Sequence, residues 1–503
     1  MRHAARLLIL CAAARATTHP NFTGTWRLSA AEYYIIGQNP ERLRVIMIIQ
    51  DQLGTRTLDM QGAIDGQPHV QPVTGSPGTF QAHWDGDTLN WETGRETPDG
   101  VLHNRRSMRL SPDGHTITAR RTRVAPAPEE TFTETWRRQD PVLPPTTCFQ
   151  DRDAALAPEA TPLERGMAAA RFHFREMAER DLLPIIRGAP KSRDAQAARS
   201  ALVDLYVRAG QTSLALAQQP DAFFKALARR PELSVVRRAP SVLRYTSESD
   251  GRIGVPVTAA GKPAVYRIDT GSSIGLLTRS EAARLGVKVE RLSMTVQDLG
   301  GGELRSHLAI VPTLTIGKVE LSGVPFWVIA DKQLGAPGIL GMDMLLALQT
   351  LRWNSDGTIE IGFPSAPADL RRANLCFDGS TPIAEVSHGR DALAFVVDTG
   401  NTDSSLFPSF ATQFPGDIAT GLQASSQVSG YVGRSTLKMM KLPSIGLRIG
   451  DWETDLRPAD VSLDHVPLWS GWHYGCAGMD LLNRARSVAF DFAAMRLILE
   501  GAR

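Results

Sequence analysis

Long apolar runs are missing from nearly all of this sequence. Past the N-terminal segment no stretch is apolar enough for a membrane helix. Lysine is missing before Lys191, and arginine carries most of the positive charge. Neither sign of charge dominates, since 55 Lys and Arg stand against 53 Asp and Glu, a net of +2. That balance argues against nucleic acid or an acidic membrane surface as partner. Four cysteines are too few for a disulfide-built scaffold, and their spacing matches no metal-site pattern. The histidines are scattered rather than clustered, so neither a metal nor a cofactor is implied.

What is present is a chain of 503 residues, 42% hydrophobic and 21% charged, a folded, soluble profile long enough for several domains. Its start reads as an export signal. Arg2 and Arg6 precede a short apolar run from Leu7 to Ala14, and Ala14-Arg15-Ala16 fits a small-x-small cleavage pattern. Residues 1–16 are therefore expected to be a signal peptide, with the remainder exported to a periplasm or beyond. Cys11 leaves with that peptide. Cys148, Cys376 and Cys476 remain, which permits one disulfide whose pairing the sequence leaves open.

The character of the chain then changes three times. Residues 17–142 read as a small β-barrel or sandwich. Strand-like runs such as 43–49 and 116–119 alternate with the turn pairs Asp85-Gly86, Asp99-Gly100 and Asp113-Gly114. A proline-rich stretch from Pro141 to Pro145 marks a linker. Residues 143–240 read as a helical spacer or docking segment, because Ala, Leu, Met and Phe recur there at helical spacing. One helical-hairpin-like unit around 201–206 cannot bury its own face, so a repeat array is not supported.

Chemistry-bearing motifs appear after residue 243, where β-type runs return. Val265-Tyr266-Arg267-Ile268 leads into Asp269-Thr270-Gly271-Ser272, and Ala394-Phe395-Val396-Val397 leads into Asp398-Thr399-Gly400-Asn401. The two aspartates are 129 residues apart. A second string, Gly-Met-Asp-x-Leu, begins at Gly341, 72 residues after Asp269, and again at Gly478, 80 residues after Asp398. Two motifs recurring in the same order at nearly the same offset reveal an internal duplication, dividing the remainder into 241–366 and 367–503.

Residues 243–503 resemble two copies of the retropepsin-like aspartic protease unit. Ile339-Leu340-Gly341 matches that family's hydrophobic pair followed by glycine, and Cys476-Ala477-Gly478 stands at the same point of the second copy with smaller residues. The resemblance implies a mainly β multidomain chain ending in two tandem protease lobes that form a pseudo-dimer. It implies Asp269 and Asp398 as the catalytic pair, with Thr270, Gly271, Ser272, Thr399 and Gly400 as their supporting loops. The family's threonines hydrogen-bond across the lobe junction, and glycine allows the tight turn. Asn401 departs from the small hydroxyl residue usual after the triplet. Gly300, Gly301 and Gly302 in the first copy, and Gly430 and Tyr431 in the second, are candidates for flap hairpins over a peptide. Plain surface hairpins are the competing reading. Asp343 and Asp480 are read as helix caps rather than a second carboxylate pair. The N-terminal region more faintly resembles a lipocalin-like barrel, in which Trp26 of Gly24-Thr25-Trp26 packs against Arg137 from the last strand. A generic β-domain with a core Trp stands beside that reading.

Two neighbouring carboxylates cannot both ionise, so they share one proton and hold water between them. The expected activity is endopeptidase action on a polypeptide, by a monomer whose lobes pair within the chain, with a homodimer as the alternative assembly. The competing function is non-catalytic: a peptide- or ligand-binding protein that keeps the protease fold.

Overall fold

The computed structural model describes residues 19–29, 32–51, 54–73, 76–97, 100–125, 129–139, 147–297, 303–429, 434–463 and 473–502. The expected signal peptide, Gly300 to Gly302, Gly430 and Tyr431 lie outside these residues. Among the described residues the chain is mainly β, and no helix is long and apolar enough to cross a membrane.

The first ten strands are β1 (Gly24–Arg27), β2 (Glu32–Gln38), β3 (Arg42–Asp51), β4 (Gly54–Ala63), β5 (His69–Val73), β6 (Ser76–Asp85), β7 (Thr88–Thr97), β8 (Gly100–Leu110), β9 (Thr116–Ala125) and β10 (Glu130–Gln139). Each pairs with its chain neighbour except β4 with β5, and β1 also pairs with β10. The meander therefore curls until its first and last strands meet, a near-barrel with its seam between β4 and β5. Alternation along the strands fills the interior with Trp26, Trp91, Trp136, Tyr34 and Phe80. Two inward charges, Arg106 and Glu134, are only 5% and 7% exposed and pair with each other, as buried charges must. The arginine over Trp26 is Arg138, with its guanidinium 4.6 Å from the ring, and not Arg137 as expected. The register explains this: Trp26 lies opposite Arg138, while Arg137, one step along the pleat, is exposed.

Six helices follow: α1 (Cys148–Ala155), α2 (Pro162–Arg171), α3 (Arg175–Gly188), α4 (Arg193–Arg208), α5 (Thr212–Gln218) and α6 (Ala222–Leu227). Thr147 with Gln150 and Thr161 with Glu164 form capping boxes that start the first two. The helices dock on the later sheets and share their core. Cys148 is disulfide-bonded to Cys376, settling the open pairing, and Cys476 is free and buried. Arg152 donates to both carboxylate oxygens of Glu385, at 2.8 and 3.1 Å, and Arg208 donates to the Gly379 carbonyl. The span read as a spacer also contributes a strand, β11 (Ser234–Arg237).

The remaining strands build three sheets. One holds β11, β13 (Thr246–Ser247), β14 (Ile253–Ala259), β15 (Lys262–Ile268), β16 (Gly275–Thr278), β17 (Val289–Gln297), β18 (Glu303–Ile316), β19 (Val319–Ile329) and β20 (Gly338–Leu340). Another holds β23 (Leu375–Asp378), β24 (Thr381–His388), β25 (Asp391–Val397), β26 (Ser405–Leu406), β27 (Leu422–Ser429), β28 (Arg434–Leu442), β29 (Ile445–Ile449), β30 (Trp452–Leu456), β31 (Ala459–Ser462) and β32 (Gly475–Ala477). Between them, β12 (Ser241–Arg244), β21 (Thr350–Asn354), β22 (Thr358–Ile361), β33 (Ala485–Asp491) and β34 (Arg496–Ala502) form a shared sheet. Its central pairing, Leu351 opposite Phe490, joins the two duplicated halves.

Candidate functional site: two interlocked Asp-Thr-Gly turns

The same scaffold carries each triplet. β15 runs parallel to β20 with Ile268 beside Leu340, and β25 runs parallel to β32 with Val397 beside Ala477. At the strand ends the Asp269 amide donates to the Leu340 carbonyl at 3.2 Å, and the Asp398 amide to that of Ala477 at 3.0 Å. Just past each glycine, Met342 N–H donates to the Ser272 carbonyl and Met479 N–H to that of Asn401, both at 2.9 Å. The duplicated second motif is thus the rail on which each aspartate loop is seated.

The two loops then lock into each other. Thr270 Oγ1 accepts from the Thr399 amide at 3.0 Å and donates to the Val397 carbonyl at 2.7 Å. Thr399 Oγ1 accepts from the Thr270 amide at 3.0 Å and donates to the Ile268 carbonyl at 3.2 Å. Both threonines are buried, so these four bonds satisfy groups that water cannot reach.

Asp269 and Asp398 are 4% and 7% exposed and face one another across this clamp. A Cβ on Gly271 would lie 2.4 Å from the Asp398 carboxyl carbon, and one on Gly400 would lie 2.5 Å from that of Asp269. Neither glycine has a left-handed backbone. Close approach of the opposite carboxylate is what requires glycine. Burial, reinforced by the neighbouring Asp269 charge, raises the Asp398 carboxyl well above the usual carboxylate range, against the opposing Gly400 N–H. The Ser272 amide donates to Asp269 at 3.0 Å, and the Gly400 amide to Asp398 at 2.8 Å. The Ser272 hydroxyl turns away and donates to the Ile274 carbonyl, while the Asn401 amide reaches the Cys476 thiol at 3.7 Å.

Asp343 and Asp480 are not the N-cap residues, although each accepts a first-turn amide of its helix, Met344 N–H at 2.9 Å and Leu481 N–H at 2.7 Å. The N-cap positions are Gly341 and Gly478, in front of the helices α7 (Met342–Leu348) and α8 (Met479–Leu482). Each aspartate instead reaches the residue six places after its lobe's catalytic candidate. Asp343 accepts from the Gly275 backbone and from Met344 N–H. Asp480 accepts from the amide and hydroxyl of Ser404, at 2.8 and 2.5 Å, and the Ser404 hydroxyl accepts from Gly478 N–H. Their shared place in the Gly-Met-Asp-x-Leu string of both copies was the available signal, and the tie holds the far end of each loop. Burial pushes the Asp343 carboxyl up to about 7.

Residues 255–344 match a family model described as aspartyl protease. The match runs from β14 into the helix Met342–Leu348 and holds Asp269 and Gly341. Among solved structures, a retropepsin-like aspartic protease from Rickettsia conorii is similar at 21% identity over 25% of this chain and 94% of that one, with a TM-score of 0.20. No curated protein matches.

Proposed function

We propose that the protein is an aspartic endopeptidase whose two lobes assemble one catalytic site within a single chain. The observation that carries this reading is the reciprocal threonine clamp, which holds two buried carboxylates face to face. Water sits between Asp269 and Asp398. The ionised carboxylate takes a proton as the water oxygen bonds to the peptide carbonyl carbon. The protonated partner gives its proton to the carbonyl oxygen, forming a tetrahedral diol. Collapse of the diol breaks the C–N bond, a proton passes to the leaving amine, and the pair again holds one proton. The titration belongs to the pair, and burial together with the closeness of the two carboxyls raises it above the ordinary carboxylate range. No metal or cofactor enters these steps. The substrate class is extended polypeptide, and the Cys148–Cys376 disulfide fits action in an oxidising compartment outside the cytoplasm.

Cleavage of a denatured-protein mixture across a pH series tests this, with wild type compared against Asp269→Asn and Asp398→Asn. Each variant is expected to remain folded by circular dichroism and to lose about 10⁴-fold in kcat/KM, as for enzymes stripped of a central catalytic group. Folded variants that cut like wild type would remove the two-aspartate mechanism.

A further inference from the structure

α6 comes from the helical body, yet its contacts place it in the first lobe. Its Phe223 and Leu227 pack on an apolar cluster separate from the main core, built on Leu276, Leu308, Trp327, Ile329 and Ile339. The Phe223 ring stacks on Trp327 with centroids 6.0 Å apart and planes 18° from parallel. The next residue, Phe224, turns into the main core and is 4% exposed, so the helix is wedged between two apolar bodies. Asp221 accepts from the Phe223 and Phe224 amides at 2.7 and 3.1 Å and fixes the helix start. Beyond the helix end, Arg230 donates twice to Glu290 of β17, at 2.9 and 2.5 Å.

The cluster joins two parts of the proposed site. Ile339 lies in β20, opposite Arg267 and next to the strand end that seats Asp269. Trp327 lies opposite both Leu276 of β16 and Leu308 of β18. Met294 and Val296 of β17 pack on the same cluster. Trp327 thus bridges the strands that carry the Asp269 loop and the arms of the β17–β18 hairpin, and Phe223 covers it. α6 precedes the duplicated unit in the chain, so the duplication carries no copy of it into the second lobe.

We infer that α6 is a positioning element of the site, in which Phe223, acting through Trp327, sets the spacing between the Asp269 loop and the β17–β18 arms. An extended peptide lying along the first lobe is then held by a wall whose position the helical body determines. This rests on the peptidase reading. The helical body becomes part of the working enzyme, and the two sides of a bound peptide are gripped unequally.

The test compares full-length wild type with Phe223→Ala, Phe223→Leu and Glu290→Gln. Phe223→Ala is expected to lower kcat/KM by about tenfold, chiefly through KM, and to change the preferred cleavage sites in a peptide mixture. Phe223→Leu should restore most of the loss. Glu290→Gln, which removes the charge opposite Arg230 without removing apolar surface, should act in the same direction if Phe223→Ala fails to fold. Hydrogen exchange is read in parallel, and faster exchange is expected in 292–296 and 304–310 with the β25 and β32 amides unchanged. Unaltered cleavage sites and unaltered exchange in folded variants would overturn the inference. If wild type cleaves nothing, the peptidase reading fails by itself, and the exchange comparison still decides whether α6 positions the hairpin.

Discussion

In the first lobe the strand beside the aspartate is Ile339-Leu340, and in the second the same positions are Cys476-Ala477. The backbone pairing is nevertheless alike, with a parallel strand and one N–H to carbonyl bond at each aspartate. Three residues before each aspartate stands a fully buried aromatic, Tyr266 or Phe395, over a glycine, Gly338 or Gly475. A Cβ on those glycines would lie within 3.0 and 2.6 Å of the ring. What the two lobes keep is the frame that aims the carboxylates. What they vary is the support outside it. The first lobe is wedged by α6 through Phe223, whereas the second is stapled to α1 through Cys148–Cys376 and Arg152–Glu385. On the peptidase reading proposed above, a site that needs two carboxylates at one fixed separation constrains backbone geometry strongly and side-chain volume weakly.

The sharpest way to break this comparison is to cut the one feature that both lobes contribute equally. Thr270→Val leaves the Thr399 amide without its acceptor and the Val397 carbonyl without its donor, and Thr399→Val does the mirror image. Each stranded buried group costs about 1–3 kcal/mol. Either single variant should lose about 10²-fold in kcat/KM, because the carboxylates shift relative to each other. A double-mutant cycle by chemical denaturation should show strong coupling, with the double variant far less destabilised than the sum of the singles. Additive losses would mean that the two loops are held independently.

The supports outside the frame should separate by lobe. Cys148→Ser with Cys376→Ser, or reduction, opens a loop of 228 residues and should cost about 2–5 kcal/mol. The loss should appear as faster hydrogen exchange and easier proteolysis in α1, β23 and β24, with β16 and β19 of the first lobe protected as before. If both lobes loosen together, the helical body is one clamp across the pair and the division of supports drawn above is wrong.

The frame was legible in the sequence because it is local and repeated. A β-type run followed by Asp-Thr-Gly, and the later Gly-Met-Asp-x-Leu, are each recognisable from a few consecutive residues, and their recurrence in the same order marks them as parts of one unit. The docking of the helices was not legible, since Arg152 meets Glu385 and Cys148 meets Cys376 only through folding, and nothing local in α1 names a partner more than two hundred residues away. Arg138 was missed for Arg137 because a strand's register must be known to the residue before its faces can be told apart. Gly271 and Gly400 were identified from the tight turn alone, because a close approach from the opposite loop leaves no mark on either triplet.

The last asymmetry concerns the two tie aspartates. Asp480 accepts a hydroxyl as well as an amide from Ser404, whereas Asp343 faces Gly275, where a Cβ would meet the Met344 side chain at 2.0 Å and no hydroxyl can stand. Asp343 is buried with backbone N–H groups as its donors, and its carboxyl rises from 3.8 to about 7. A raised carboxylate means that the native state holds a proton the unfolded chain has already released. Stability contributed by that proton is full below about pH 4 and is lost as pH climbs toward 7, at about 1.4 kcal/mol per pH unit. Asp343→Asn keeps an oxygen for the Gly275 and Met344 amides and carries no charge. Unfolding followed by denaturant at pH 5, 6, 7 and 8 should therefore show wild type weakening toward neutral pH relative to Asp343→Asn, with the two converging at acid pH. Parallel curves would show that ionising Asp343 costs the native state nothing, and the tie to Gly275 would then not depend on a bound proton.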